Sequence, residues 1–181
     1  MSGRLGDLLT FSKMDNTATL SKITFTLDGL LEDVFNEHVA QMEDKGITFD
    51  TEMPGGIRVY ADKNRIAIAV ANYLSNAVKF TPKGGEIKLM METMRRKRVR
   101  VSVYNSGSHI LKENMDKIWK YLFKTDKGDN ANGTGLGLPS VQRIIALHNG
   151  RCDVKNTEDG VLFWFEIPVG KEKNRARRNR I

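Results

Sequence analysis

Three polar residues between positions 62 and 80 stand out from their surroundings. Asn72, Asn76 and Lys79 follow one another at spacings of four and three among Ile66, Ile68, Val70, Tyr73, Leu74, Ala77 and Val78. A helix puts such a set on one stripe of an otherwise apolar cylinder. Burying two amides and an ammonium without partners costs on the order of several kcal/mol, so something polar has to meet them. Two readings fit. Either the stripe faces water or neighbouring loops, or an Asn oxygen helps to hold Mg²⁺ while Lys79 meets a phosphate. A hard cation takes oxygen ligands and keeps several waters, which makes one neutral amide a suitable protein ligand.

A second set is Gly133-Thr134-Gly135-Leu136-Gly137-Leu138, running directly into a predicted helix with Pro139 in its first turn. Glycines let successive N–H groups turn toward an anion, and a helix N-terminus adds partial positive charge. The run is also compatible with a plain turn. It is not a Walker A sequence, and its spacing is not that of the dinucleotide fingerprint. A third candidate is Asn105, in Val103-Tyr-Asn-Ser-Gly-Ser-His-Ile110, where Gly107 lets a strand end bend close to a ligand. On its own, Asn-Ser-Gly is a common turn.

These residues need elements to place them. The periodicity predicts a strand over 23–27, then a helix capped by Asp28 and closed by Gly46, carrying Leu30, Leu31, Val34, Phe35 and Val39. Strands over 47–52 and 57–61 flank Pro54-Gly55-Gly56, and Asp62 caps the helix that ends before Pro82. A hairpin over 86–94 and 98–105 turns through Arg95-Arg96-Lys97. Residues 107–137 are mostly polar with one weak helix near 112–121, a length that marks a lid or binding loop. A helix over 138–148 and strands over 151–156 and 161–167 close the domain. The sum is an α/β (α+β) two-layer sandwich, a mixed and mostly antiparallel sheet on about three helices.

Composition narrows the class. The 181 residues, 40% hydrophobic and 28% charged, suit one globular domain. Cys152 is the lone cysteine and excludes an internal disulfide, and the three histidines form no local zinc motif. No stretch is apolar for long enough to span a bilayer. Of the net charge of +7, the tail from Gly170 to Ile181 holds +5, as six Lys/Arg against Glu172. A terminal run with no aromatic residue among its charges reads as a solvated tail, and no nucleic-acid partner is expected.

The order of the three sets resembles one family, the ATP-binding domain shared by histidine kinases, gyrase B, the Hsp90 chaperones and MutL, with the histidine kinases nearest. NYLSNAVKFTPKGGEI is similar to their N box, VYNSGSHI to the first glycine box, IWKYLF to the phenylalanine box and GTGLGLPSVQRIIALHNG to the second glycine box. RLGDLLTFSKMD resembles the end of the dimerisation helix that precedes this domain. The resemblance implies a Bergerat-type fold binding ATP and Mg²⁺, with Asn76 as magnesium ligand, Asn72 assisting, Lys79 on the phosphates and Phe80 flanking the nucleotide. It puts Asn105 on the adenine amine and Gly107 and Ile110 along the base. The mobile lid runs from about Asp116 to Asn132, with Phe123 at its base, and Thr134, Gly135, Leu136, Gly137 and Leu138 form the phosphate turn. It further divides the chain into a dimerisation-helix remnant (1–20), the catalytic domain (21–169) and a disordered basic tail (170–181).

Two residues depart from the family pattern: Asn105 replaces an aspartate, and His109 stands where a second glycine is usual. An amide oxygen still accepts from an amine but loses the charge-assisted component. Position 72 carries the glutamate general base in the hydrolysing relatives, and Asn72 cannot act as one, which favours phosphoryl transfer over hydrolysis. None of His38, His109 and His148 has the neighbours of a phosphoacceptor, and His148 reads as a cation at a helix end. The resemblance therefore implies a kinase domain whose acceptor histidine lies on a dimerisation domain and passes phosphate to a response regulator. It also implies a monomeric fragment of a homodimeric protein, cytoplasmic and anchored to the membrane through the rest of that protein. Alternatives are a degenerate binding module that does not use nucleotide, and a serine kinase of the anti-sigma type.

Overall fold

The computed structural model describes residues 19–123 and 135–170. The expected helix remnant up to residue 18, residues 124–132 of the lid, Thr134 and the basic tail beyond Gly170 lie outside the described residues. The elements run β1 (Lys22–Thr26), α1 (Leu27–Asp44), β2 (Thr48–Glu52), β3 (Arg58–Asp62), α2 (Lys63–Phe80), β4 (Glu86–Met94), β5 (Arg98–Ser106), two 3₁₀ turns (Lys112–Asn114 and Lys117–Trp119), α3 (Gly137–Leu147), β6 (Arg151–Asn156) and β7 (Gly160–Pro168).

Five strands form one mixed sheet in the order β2-β4-β5-β7-β6, with β2 and β4 parallel and the other neighbours antiparallel. β1 and β3 make a separate antiparallel ribbon. The two strands on either side of Pro54-Gly55-Gly56 are therefore not partners, although only a short turn separates them. Alternation sorts the large sheet: Ile87, Leu89, Val99, Val101, Val103, Phe165 and Ile167 enter the core, where Leu31, Ile66, Val70, Leu74, Ile144 and Ile145 of the three helices meet them.

Local chemistry explains most boundaries. Asp62 caps α2 as expected, its carboxylate accepting from the Arg65 N–H at 3.2 Å. The expectation for Asp28 is corrected: α1 starts at Leu27 behind Thr26, and Asp28 lies inside the first turn, where a carboxylate complements the helix dipole. The weak helix over 112–121 becomes two 3₁₀ turns. Arg96 and Lys97, at φ 62° and 53°, take left-handed conformations within the three-residue β4–β5 connection Arg95–Lys97.

On the face of the sheet away from the helices lies a polar cluster that the residue pattern did not reveal. Glu166 is fully buried, and its Oε1 accepts from Arg100 Nη2 at 2.6 Å while Oε2 accepts from Arg151 Nε at 2.7 Å. Arg98 adds an ion pair at 3.6 Å, and the Arg100 guanidinium stacks 4.3 Å from the Trp164 ring centre. Bonds from Arg151 and Arg100 hold the Glu166 carboxyl below the usual range against the opposing effect of burial.

Candidate functional site

α2 is the central element. Its buried side presents Ile66, Ala69, Val70, Tyr73, Leu74, Ala77 and Val78 to the core, which forces the remaining positions toward a surface. Asn72 and Asn76 are half-buried on that remaining side. Asn72 Nδ2 donates back to the Ile68 carbonyl at 2.9 Å, so its Oδ1 points outward. Among the described residues the Asn76 amide has no hydrogen-bond partner. The Lys79 ammonium lies 5.2 Å from the ring centre of Phe80, itself 45% exposed. A greasy helix thus carries an amide oxygen that no described residue uses, the feature a hard cation requires.

The glycine turn meets that stripe. A Cβ on Gly137 would fall 2.8 Å from Asn72 Oδ1, so glycine at the start of α3 leaves the Asn72 amide room in its present position. Gly137 opens α3, one residue earlier than expected, with Leu136 as its N-cap and Pro139 buried in the first turn. Leu138 is half-buried against the core. The Gly135 carbonyl accepts from the Leu122 N–H at 3.0 Å, which joins the residues on either side of positions 124–134. Phe123, half-buried, lies next to that bond.

At the C-terminal end of β5, Asn105 is 3% exposed and its Nδ2 donates to Ser108 Oγ at 2.9 Å, which leaves Oδ1 as an acceptor. Gly107, at φ 75°, carries no Cβ where one would lie 2.5 Å from Pro82 Cγ, so the strand end folds tightly over the turn that follows α2. Ile110 is packed against the core. The structure brings Asn72, Asn76, Lys79, Phe80 and Gly137 to one side of α2, and Asn105, Gly107 and Ile110 to the neighbouring sheet end.

Several residues that hold these positions gave no signal in the sequence. Asn156, on β6, accepts from the Ile110 N–H at 3.0 Å and donates to the Ile110 carbonyl at 2.8 Å. His109, which the sequence marked only as a departure from the family pattern, reaches the Thr157 carbonyl with Nε2 at 3.0 Å, so this ring braces the same loop. Lys45 donates to the Val78, Lys79 and Thr81 carbonyls at 2.7, 3.2 and 2.6 Å. An amide or an ammonium at the end of one element reveals its partner only once the other element is in place.

The histidines and the cysteine are accounted for by structure. His38 is buried between the Val34 carbonyl and Ser75 Oγ. The reading of His148 as a cation is corrected. Its Nε2 accepts from the Asp62 backbone N–H at 3.0 Å and its Nδ1 donates to the Ile144 carbonyl at 2.7 Å, an arrangement only the neutral ring can make. Burial lowers its pKa below the usual value, with Lys22 and Arg65 adding to the effect and the Ile144 bond and Asp62 opposing it. Burial pushes the Cys152 thiol up to about 11, which keeps it protonated and unreactive at neutral pH.

A two-layer sandwich with an amide-bearing helix set against a glycine turn defines a class of nucleotide-binding domain. Residues 61–171 match the family described as histidine kinase-, DNA gyrase B-, and HSP90-like ATPase, and the chain belongs to it. Among its relatives are the adaptive-response sensory kinase SasA of Microcystis aeruginosa, 30% identical over 93% of this chain and 45% of the relative, and the sensor-like histidine kinase SenX3 of Mycolicibacterium smegmatis, 28% identical over 93% and 44%. The solved catalytic domain of histidine kinase ThkA is 36% identical with a TM-score of 0.75, covering 82% of this chain and 96% of that one. Full-length ShkA in complex with AMPPNP is 29% identical, TM-score 0.83, over 93% of this chain and 35% of that one. The fold is thus that of histidine kinase catalytic domains, as the resemblance implied. The chain spans less than half the length of the two curated relatives. Among the described residues, no helix is long and apolar enough to cross a membrane.

Proposed function

We propose that this chain binds Mg²⁺·ATP on the α2 stripe and donates the γ-phosphoryl group to a histidine on a dimerisation domain, as one step of a two-component relay. The observation that carries the reading is the approach of Gly137 to Asn72 Oδ1 beside the unpartnered Asn76 amide. It supports Asn76 Oδ1 as a magnesium ligand and the Leu136–Leu138 backbone as donors to phosphate; membership of the family adds Thr134 as a further donor, Lys79 as the counter-charge and Asn105 Oδ1 as acceptor for the adenine amine. In this reading Ile110 lines the base pocket and Phe80 flanks the nucleotide. The cation, when bound, neutralises phosphate charge.

In the transfer, the acceptor imidazole nitrogen forms a bond to the γ-phosphorus as the bond to the β,γ-bridging oxygen breaks, with ADP leaving. The protein's part is to hold the donor in line, to exclude water and to balance charge. Asn72 cannot take a proton from water, which supports transfer over hydrolysis. The relatives support the partners: ShkA is seen with AMPPNP, and ThkA, 32% identical over 93% of this chain, in complex with the response regulator TrrA. We assign the domain to the cytoplasm, where ATP is, with any membrane anchor in another part of the protein. Adding a dimerisation domain and radiolabelled ATP should give acid-labile, base-stable phosphohistidine that Asn76→Ala abolishes. Nucleotide binding without any phosphohistidine on a competent acceptor would instead favour the binding-module reading, which Asn105 and His109 prompt.

A further inference from the structure

We propose that Lys45 is a positioning residue for the phosphate end of the site, an inference that rests on the α2 stripe meeting Mg²⁺·nucleotide. The ammonium has three protons, and all three are directed to carbonyls at the C-terminus of α2: Val78 at 2.7 Å, Lys79 at 3.2 Å and Thr81 at 2.6 Å. The last carbonyls of a helix lack intrahelical donors. The Ala77 carbonyl is satisfied locally, by the Thr81 N–H at 2.9 Å and the Thr81 hydroxyl at 2.6 Å. That cap moves with the helix and cannot fix where the helix lies. Lys45 can, because it comes from the α1–β2 connection, itself braced by Gly46 N–H to the Glu43 carbonyl at 2.8 Å and Ile47 N–H to the Met42 carbonyl at 2.9 Å.

Two consequences follow for the site. Turning α2 by one residue, about 100°, would swing Asn72, Asn76 and Lys79 away from Gly137. Tying down the helix end opposes that turn where Lys79 and Phe80 sit. The second is electrostatic. The C-terminus of a helix carries roughly −0.5 of a charge, which repels a triphosphate bound nearby. A cation bonded to those carbonyls cancels this, which a neutral cap such as Thr81 does not.

The test compares a ligand with phosphates against one without. Calorimetry on Lys45→Met, which keeps the stem and loses the donors, should show Mg²⁺·AMPPNP binding about tenfold weaker and adenosine binding within about twofold of wild type. Lys45→Arg, still cationic, should recover most of the loss. Equal weakening of both ligands, or of neither, overturns the proposal. If Lys45→Met does not fold, the neutral donor variant Lys45→Gln should show the same contrast at about threefold, and its absence has the same meaning. A wild-type protein that binds neither ligand refutes the site reading itself. Binding that responds to Asn76→Ala and not to Lys45→Met refutes only the role of Lys45.

Discussion

Two polar constellations face away from the apolar core, and they differ in how completely the protein satisfies them. On the outer face of the sheet, Glu166 is surrounded by Arg98, Arg100 and Arg151, with Trp164 stacked beneath the guanidinium groups. On α2, Asn76 has no partner among the described residues, and Asn72 uses its NH₂ group while its oxygen faces the glycine turn. Both sets interrupt apolar elements. The first is largely closed by its own neighbours, with Arg98 Nε held at ion-pair distance from Glu166 but without a hydrogen bond among the described residues, and it reads as structure. In the second, the Asn76 amide has no partner among the described residues and sits beside a glycine turn, where a ligand can supply one.

A crossed pair of variants breaks this contrast most sharply. Glu166→Gln leaves three arginines around a neutral amide. Because those arginines reach solvent, the expected loss of stability is about 2 kcal/mol, below the full cost of a broken buried pair. For a domain of this size that is a fall in melting temperature of roughly 4–8 °C, with nucleotide affinity of the folded protein unchanged. Asn76→Ala should do the reverse, holding the melting temperature while abolishing Mg²⁺-dependent binding. Thermal melts and calorimetry on both variants check the pair, and a Glu166 variant that loses binding at full stability would dissolve the distinction.

A smaller effect sharpens the α2 side. Gly137→Ala puts a methyl group 2.8 Å from Asn72 Oδ1, the end of a side chain that can swing aside. Stability should change little, whereas displacing Asn72 should weaken Mg²⁺·ATP by about tenfold, or 1.4 kcal/mol. Asn72→Ala in the same protein, which removes the clash, should make Gly137→Ala nearly silent.

The smallest effect concerns the back of α2, where His148 accepts the Asp62 N–H at the cap. Its folded pKa is lowered, chiefly by burial, so the unfolded chain takes up the proton first as pH falls. The stabilisation is complete above the ordinary histidine value of about 6.5 and declines as pH drops from there toward the lower folded value, by at most about 1.4 kcal/mol per pH unit. Melting temperatures between pH 7.5 and 5.5 should fall less steeply in His148→Gln than in the wild type.

How much of this the sequence determined differs by kind. The helix from Asp62 to Phe80, the β4–β5 hairpin and the helix behind the glycine run were legible because apolar period, caps and breakers are encoded within a few residues of where they act. The polar stripe was legible for the same reason, since Asn72, Asn76 and Lys79 align along one helix whatever surrounds it. Asp28 misled because a capping residue beside a helix start looks the same one turn position either way. His148 misled because its charge depends on burial and on the Asp62 N–H, 86 residues away in the chain. The tertiary structure alone decided that β2 and β3 part company, that Glu166 gathers three arginines, and that Lys45 and Asn156 reach the two ends of the candidate site. Each of these depends on which distant groups of the chain are brought into bonding range, and local pattern carries no information about that.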